Sequence, residues 1–325
     1  EIRLSLVGSE MCIRDSLYTP EQIMFRDAVA KFARAELAEG RVARANADGL
    51  DPATTQKLVD MGLMGIMMDE ADGGQGGTLM DAVIAIREIA QVCPRSADVV
   101  QAGNFGAIRT LSEFATAEQR TRWLPGLLAG RTVISVGMSE PEAGSAVTEL
   151  ATTATPDGDG YRLNGTKVFG THSGSADLIL CYCRFAPGVS GIGSVILERG
   201  MGGFSVGQPV RYMNGESWSQ LYFDNLYVPP ENVLLGPGGF KKQISGFNVE
   251  RLGNASRAVA VGRLAFEVAR DHALERRQFG RRLAEFQGIQ WKFADMAVKL
   301  DAAELLLARA VINAGDGLPS AMETA

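Results

Sequence analysis

The hydrophobic period of this 325-residue chain changes twice, and no other feature constrains its fold as much. Apolar residues first recur at helical spacing, with Phe25, Ala28, Val29, Phe32 and Ala35 on one stripe. Thr19-Pro20-Glu21-Gln22 marks the start of that helix. A threonine N-cap, proline at the first helical position and glutamine at N3 form a capping box, and the proline sits where its missing N–H costs nothing. Helical pattern continues over 53–61, 79–92, 97–114 and 117–128, with a loop at Gly73-Gly74 and Gly76-Gly77.

Near Arg131 the pattern turns to short β-rich runs: Val133–Val136, Tyr161–Leu163, Lys167–Phe169, Leu178–Cys183, Ser194–Leu197 and Leu221–Tyr227. Asn164-Gly165 lies between two of them and predicts a two-residue hairpin turn, because a type I′ turn needs positive φ at both central positions. From Phe240 helices return. Leu252, Ala255, Val259, Phe266, Ala269 and Ala273 form one stripe; Phe286, Ile289, Phe293, Met296, Leu300, Ala303 and Leu307 form another. Two such helices with a short link predict an antiparallel pair in a bundle. The expected fold class is α+β: an N-terminal helical domain over 17–130, a middle antiparallel β barrel or sandwich over 131–236, and a C-terminal helical domain over 237–325.

A hydrophobic content of 46% over this length supports a core larger than one small domain needs. The net charge of -6 gives no basis for binding nucleic acid or an anionic membrane. No apolar run reaches the ~18 residues that a membrane-spanning helix requires. The two histidines, His172 and His272, and four cysteines without a CxxC pair make a zinc site unexpected. Cys181 and Cys183 alternate on a predicted strand, where i and i+2 partners rarely form a disulfide, and the cysteine usage fits a reducing compartment. Leu6–Asp15 reads LVGSEMCIRD, which resembles the translation of a transposase adapter used in sequencing libraries. Residues 1–16 are therefore expected to be a non-native extension.

Four stretches carry candidate chemistry. Gly137-Met138-Ser139-Glu140-Pro141-Glu142-Ala143-Gly144-Ser145 sets proline and glycine in a turn that presents backbone N–H groups and hydroxyls. Leu163-Asn164-Gly165-Thr166-Lys167-Val168-Phe169 leads to an aromatic suited to stacking on a flat ring. Phe247-Asn248-Val249-Glu250-Arg251 places a carboxylate beside an arginine on a helix. Glu275-Arg276-Arg277-Gln278-Phe279-Gly280, followed by Phe286-Gln287 and Gln290, offers arginine forks that match a pyrophosphate.

With the helical–β–helical order, these stretches resemble the acyl-CoA dehydrogenase family over residues 17–325. The resemblance implies FAD, with Met138 and Ser139 against the flavin ring, and Gly144 and Ser145 in the same turn. Ser145 would reach a flavin phosphate or the bound CoA. Phe169 would stack on the flavin, and Thr171 would hydrogen-bond near its reactive nitrogen. Arg276 and Phe279, helped by Gln278 and Gln287, would reach the FAD of a neighbouring subunit, which implies a homotetramer built as a dimer of dimers. Glu250 stands where isovaleryl-type and long-chain-type members carry the base that takes the α-proton. Phe247 and Arg251 would line and organise the substrate site. An electron-transfer flavoprotein is the implied partner, and bacterial cytoplasm or mitochondrial matrix the implied location.

The sequence departs from the family at Ala146, where aspartate is usual, and at His172, where asparagine is usual. His172 is expected to be structural or solvent-facing, since the family abstracts its proton with a carboxylate. The chain stops at Ala325 without a helix stop signal. The family's C-terminal loop and glycine-rich FAD segment would lie beyond it, so weak FAD binding and slow turnover are expected of this chain. Acyl-CoA oxidation with oxygen, another flavoenzyme chemistry on the same fold, or a scaffold without cofactor remain open.

Overall fold

The computed structural model describes residues 17–324 except 48, 50 and 316. The proposed extension at 1–16 and Cys12 lie outside the described residues. The chain forms two compact units: one from residues 42–77 and 99–250, the other from the described parts of 1–41, 78–98 and 251–325.

The second of these is helical. Helix α1 (Pro20–Leu37) starts at the expected capping box, with Thr19 Oγ1 accepting from Gln22 N at 3.2 Å and Gln22 Oε1 from Thr19 N at 3.1 Å. It packs on α4 (Leu79–Val92), which carries its own box at Thr78 and Asp81. The two long helices α8 (Phe240–Glu275) and α9 (Gln287–Ala314) follow the predicted stripes, and Phe266 meets Phe293 edge to face at 5.5 Å. A buried polar network joins α4, α8 and α9. Arg87 donates to Tyr18 Oη at 2.7 Å and Glu304 Oε1 at 3.0 Å, and Arg263 reaches Glu304 Oε2 at 3.1 Å.

The other unit contains α2 (Arg41–Asn46) after its first residue, α3 (Pro52–Asp60), α6 (Ala107–Phe114), α7 (Ala117–Leu128), and the end of α5 (Pro94–Ala102). It also holds, among the described residues, an eight-stranded sheet ordered β6-β7-β3-β2-β4-β5-β8, with β1 on the edge of β4. The strands are β1 (Ile134–Gly137), β2 (Thr153–Asp157), β3 (Gly160–Lys167), β4 (Leu178–Arg184), β5 (Ile192–Glu198), β6 (Phe204–Arg211), β7 (Ser217–Val228) and β8 (Val233–Leu235). Pairing is antiparallel except where β1 and β2 meet β4 in parallel. Strand β4 is buried on both faces, as its unbroken apolar run requires. Leu178, Leu180 and Tyr182 enter a core shared with α6, α7 and the first turns of α8. Ile179, Cys181 and Cys183 enter a second core within the β domain.

Two expectations need correction. Asn164-Gly165 is a bulge inside β3 and not a turn, with the register shifting between Leu163 and Gly165. Strand β3 is paired on both sides there, and Asn164 Oδ1 accepts from Asn225 N at 2.8 Å. Glycine is required because a Cβ at Gly165 would stand 2.8 Å from the Thr152 Cα. The hairpin turn falls instead between Asp157 and Gly160, where Gly158 has φ 64°. Likewise 97–114 is not one helix. Helix α5 stops at Ala102 and α6 starts at Ala107, because Asn104 turns its side chain onto Ile66 N at 2.6 Å, Leu63 O at 2.8 Å and Val100 O at 2.7 Å.

Candidate active site

Strands β1 and β2 lie end to end along one edge of β4: Gly137 pairs with Cys181, and Thr153 with Arg184. Residues 138–152 leave the sheet between them, and this excursion contains the predicted ligand loop. Its base is pinned by an ion pair between Lys167 and Glu140 at 2.7 Å, whose side chains are 1% and 7% exposed. Glu140 also accepts Ala151 N at 2.6 Å and Thr152 N at 3.0 Å, and Lys167 reaches Met138 O at 3.2 Å. Burial pushes the Glu140 carboxyl up, but Lys167 and the donated hydrogen bonds outweigh it and hold the group below its ordinary value. The nearby Cys181 thiol is pushed up to about 12 by burial, and Cys183 well above its ordinary value, so both stay protonated.

The end of β3 then delivers the aromatic. Val168 N donates to Ser139 O at 2.9 Å, which sets Ser139 beside Phe169. Phe169 has φ 59° and is 60% exposed. A bulky residue in the left-handed region costs about 1–3 kcal/mol and persists only where its surroundings over-determine it. Here they do. Gly170 is wedged so closely that a Cβ would meet Val136 O at 2.7 Å. Thr171 bridges to Trp218 and its carbonyl accepts Ser135 Oγ at 2.7 Å, while His172 N donates to Ser217 O at 2.7 Å. The Phe169 and Trp218 ring centroids lie 4.6 Å apart, with the rings tilted by 51°. Close packing thus accounts for the glycine at position 170. His172 is buried at φ 63°, which excludes the solvent-facing role and leaves the structural one. Trp218 was missed from the sequence, although a tryptophan opening a strand beside polar Ser217 and Ser219 was a usable signal.

Glu250 lies on the first half of α8, within the same unit as the sheet. Its Oε1 accepts Gln101 Nε2 at 2.6 Å, and its Oε2 is the atom that a Cβ on Gly106 would meet at 3.3 Å. Gln101 lies in the last turn of α5 and Gly106 caps α6, on either side of a break that the apolar pattern over 97–114 does not reveal. Phe247 and Met138 are half-buried and pack against the same core as Ile108 and Leu111, which ties the start of α8, the 138–152 loop and α6 to one scaffold. Gly144 and Ser145 are exposed, and among the described residues none beyond its chain neighbours lies within 4 Å of where a Gly144 Cβ would be.

The remaining predicted residues fall in the helical unit. Arg251 is exposed on α8. Arg276, Gln278 and Phe279 stand exposed on a hairpin of β9 (Arg277–Gln278) and β10 (Arg281–Arg282), and Gln287 is exposed at the start of α9. Phe279 has φ 51° and is 93% exposed.

Three family models match the chain: the acyl-CoA dehydrogenase N-terminal domain over residues 19–131, middle domain over 135–226 and C-terminal domain over 237–325. An acyl-CoA dehydrogenase of Bacillus subtilis (strain 168) is 35% identical over 294 residues, covering 89% of this chain and 78% of the relative. The butyryl-CoA dehydrogenase structure from Megasphaera elsdenii superposes with TM-score 0.86 at 29% identity, covering 94% of this chain and 82% of that one. A chain from a study of the electron transferring flavoprotein of Acidaminococcus fermentans and flavin-based electron bifurcation gives TM-score 0.88 at 32% identity, with 94% and 82% coverage.

Proposed function

Because the chain belongs to the acyl-CoA dehydrogenase family of FAD-dependent oxidoreductases, we propose that it removes two hydrogens from the α and β carbons of an acyl-CoA with Glu250 as the base. The residues present suit a flavin. An exposed aromatic held against its backbone preference, a tryptophan beside it and the Ser139, Ser145 and Thr171 hydroxyls offer an aromatic surface edged with donors. When bound, FAD supplies the acceptor for the β-hydrogen and its electron pair.

The chain's own residues supply the rest. Phe169 and Trp218 exclude water from one aromatic face, which strengthens polar interactions formed there. Ser139 and Thr171 orient the ring through hydroxyls on a backbone already fixed by β1 and β7. Glu250 takes the α-proton: the Cα–H bond breaks, an O–H bond forms at the carboxylate, and the freed pair becomes the α,β double bond as the β-hydrogen leaves with its own pair. Phe247 packs the substrate side of the same scaffold. Arg276, Gln278, Phe279 and Gln287 serve the FAD of a second copy in a homo-oligomer. The two electrons then pass to an electron-transfer flavoprotein.

The observation that carries this reading is the Glu250 carboxylate, held at 2.6 Å by a buried amide in the unit that also holds the Phe169 face. Anaerobic bleaching of the visible flavin absorbance by butyryl-CoA or isovaleryl-CoA, at saturating FAD, tests it. Glu250→Gln should slow bleaching by at least ~100-fold, the lower range for loss of a general base. Equal rates would remove Glu250 from the role. Peroxide release in air would point to an oxidase instead.

A further inference from the structure

We infer that Gln101 is the positioning residue for Glu250, fixing the orientation of its carboxylate through Oε1. The inference rests on the base role proposed above. Gln101 sits one residue before the end of α5, is 4% exposed, and donates to Oε1 at 2.6 Å. A hydrogen bond to an ionised carboxylate is short and about twice as strong as a neutral one. It fixes rotation of the carboxylate about its terminal bond, a freedom that two equivalent oxygens would otherwise retain.

Space is arranged on the other side. Oε2 faces Gly106, and any side chain there would crowd it, with an added Cβ at 3.3 Å. Gly106 has φ 65° and ψ -127°, a conformation that other residues adopt only under strain. The break that separates α5 from α6 therefore does two things at Glu250. It ends one helix with a donor on Oε1 and begins the next without a side chain over Oε2.

Charged groups on the neighbouring elements have ion-pair partners of their own. On α6, Arg109 pairs with Glu113 at 2.7 Å. Earlier on α5, Asp98 pairs with Arg95 at 3.3 Å and with Arg257 of α8 at 3.2 Å. Arg251, next on α8, is exposed. Substituting Gln101 by a residue without a donor removes the bond to Oε1.

The donor favours the charged carboxylate, so its loss raises the Glu250 pKa. Gln101→Leu removes it. Gln101→Glu keeps the side-chain size and sets a second carboxylate against the first, which raises the value further. Two readouts follow on the FAD-loaded protein. One is the titration of the Glu250 carboxyl carbon in protein labelled with 13Cδ-glutamate, its resonance assigned by loss in Glu250→Gln. The other is the acid limb of kcat against pH with saturating acyl-CoA. Both midpoints should rise by about one pH unit in Gln101→Leu and more in Gln101→Glu, with kcat near neutral pH down ~10-fold and KM within about twofold. Unchanged midpoints in both variants, alongside an inactive Glu250→Gln, would overturn the positioning role and leave the base standing. Turnover retained by Glu250→Gln would bring down the base, and this inference with it.

Discussion

Phe169 and Phe279 share an unusual backbone, with φ 59° and 51°, yet they are held in opposite ways. Phe169 is locked from below by the buried Lys167–Glu140 pair, the wedged Gly170 and the Thr171–Trp218 bridge. Phe279 rides a hairpin of two-residue strands, where Phe286 stands 6.5 Å away and Arg281 stacks on Phe286 at 4.1 Å. The first is a rigid wall prepared by its own unit. The second presents an exposed ring on a small hairpin, as suits a group offered to another copy. Strain alone therefore does not identify a role; what surrounds the strained residue does.

The largest effect should come from removing the lock. Lys167→Met leaves Glu140 buried without its cation, a change that typically costs ~3–5 kcal/mol. Urea unfolding should show that loss, with FAD binding lost as well. The pH dependence has a definite sign. Glu140 is held below its ordinary value in the folded chain, so its contribution is present above the ordinary carboxylate range and is lost as pH falls through the lower folded value. In Lys167→Met that value rises, and acid unfolding should begin at higher pH. Coincident acid midpoints in the two proteins would break the claim that this pair underpins the wall.

A smaller effect separates the two rings by concentration. Phe169→Ala should weaken FAD about tenfold, near the upper end for an aromatic contact, at every protein concentration. Phe279→Ala should weaken it only where copies associate, so that variant and parent converge on dilution. Fluorescence titration at high and low protein concentration reads both, and convergence for Phe169→Ala as well would erase the distinction. The smallest effect is on stability. At Phe279, glycine relieves the positive φ while sacrificing little packing, for a net gain of about 0.5 kcal/mol after the unfolded-chain entropy is counted. At Phe169 the lost contact with Trp218 should cancel that gain. Paired urea curves for Phe169→Gly and Phe279→Gly would sharpen the contrast, and an equal gain at both positions would contradict it.

Much of this was legible in the residues themselves. The Thr19 capping box, the stripes of α8 and α9 and the return to helix after the β region are local facts. The period of 3.6 or 2 is written by which side chains must face one way within a single element. The loop around Ser139, the aromatic at Phe169 and the carboxylate at Glu250 were likewise visible as motifs.

Tertiary structure alone decided what those local facts met. Asn164-Gly165 has turn chemistry, but pairing on both edges of β3 made it a bulge. An apolar helical pattern ran through 97–114, but the bonds of Asn104 to Leu63 and Ile66 broke it, and Gln101 at the end of α5 meets Glu250, 149 residues away in sequence. Trp218 joined Phe169 only because β7 lies beside β3. Sequence spacing encodes which face of an element is apolar. Which donor reaches which acceptor across the fold depends on register and close packing, and these exist only once the elements have assembled.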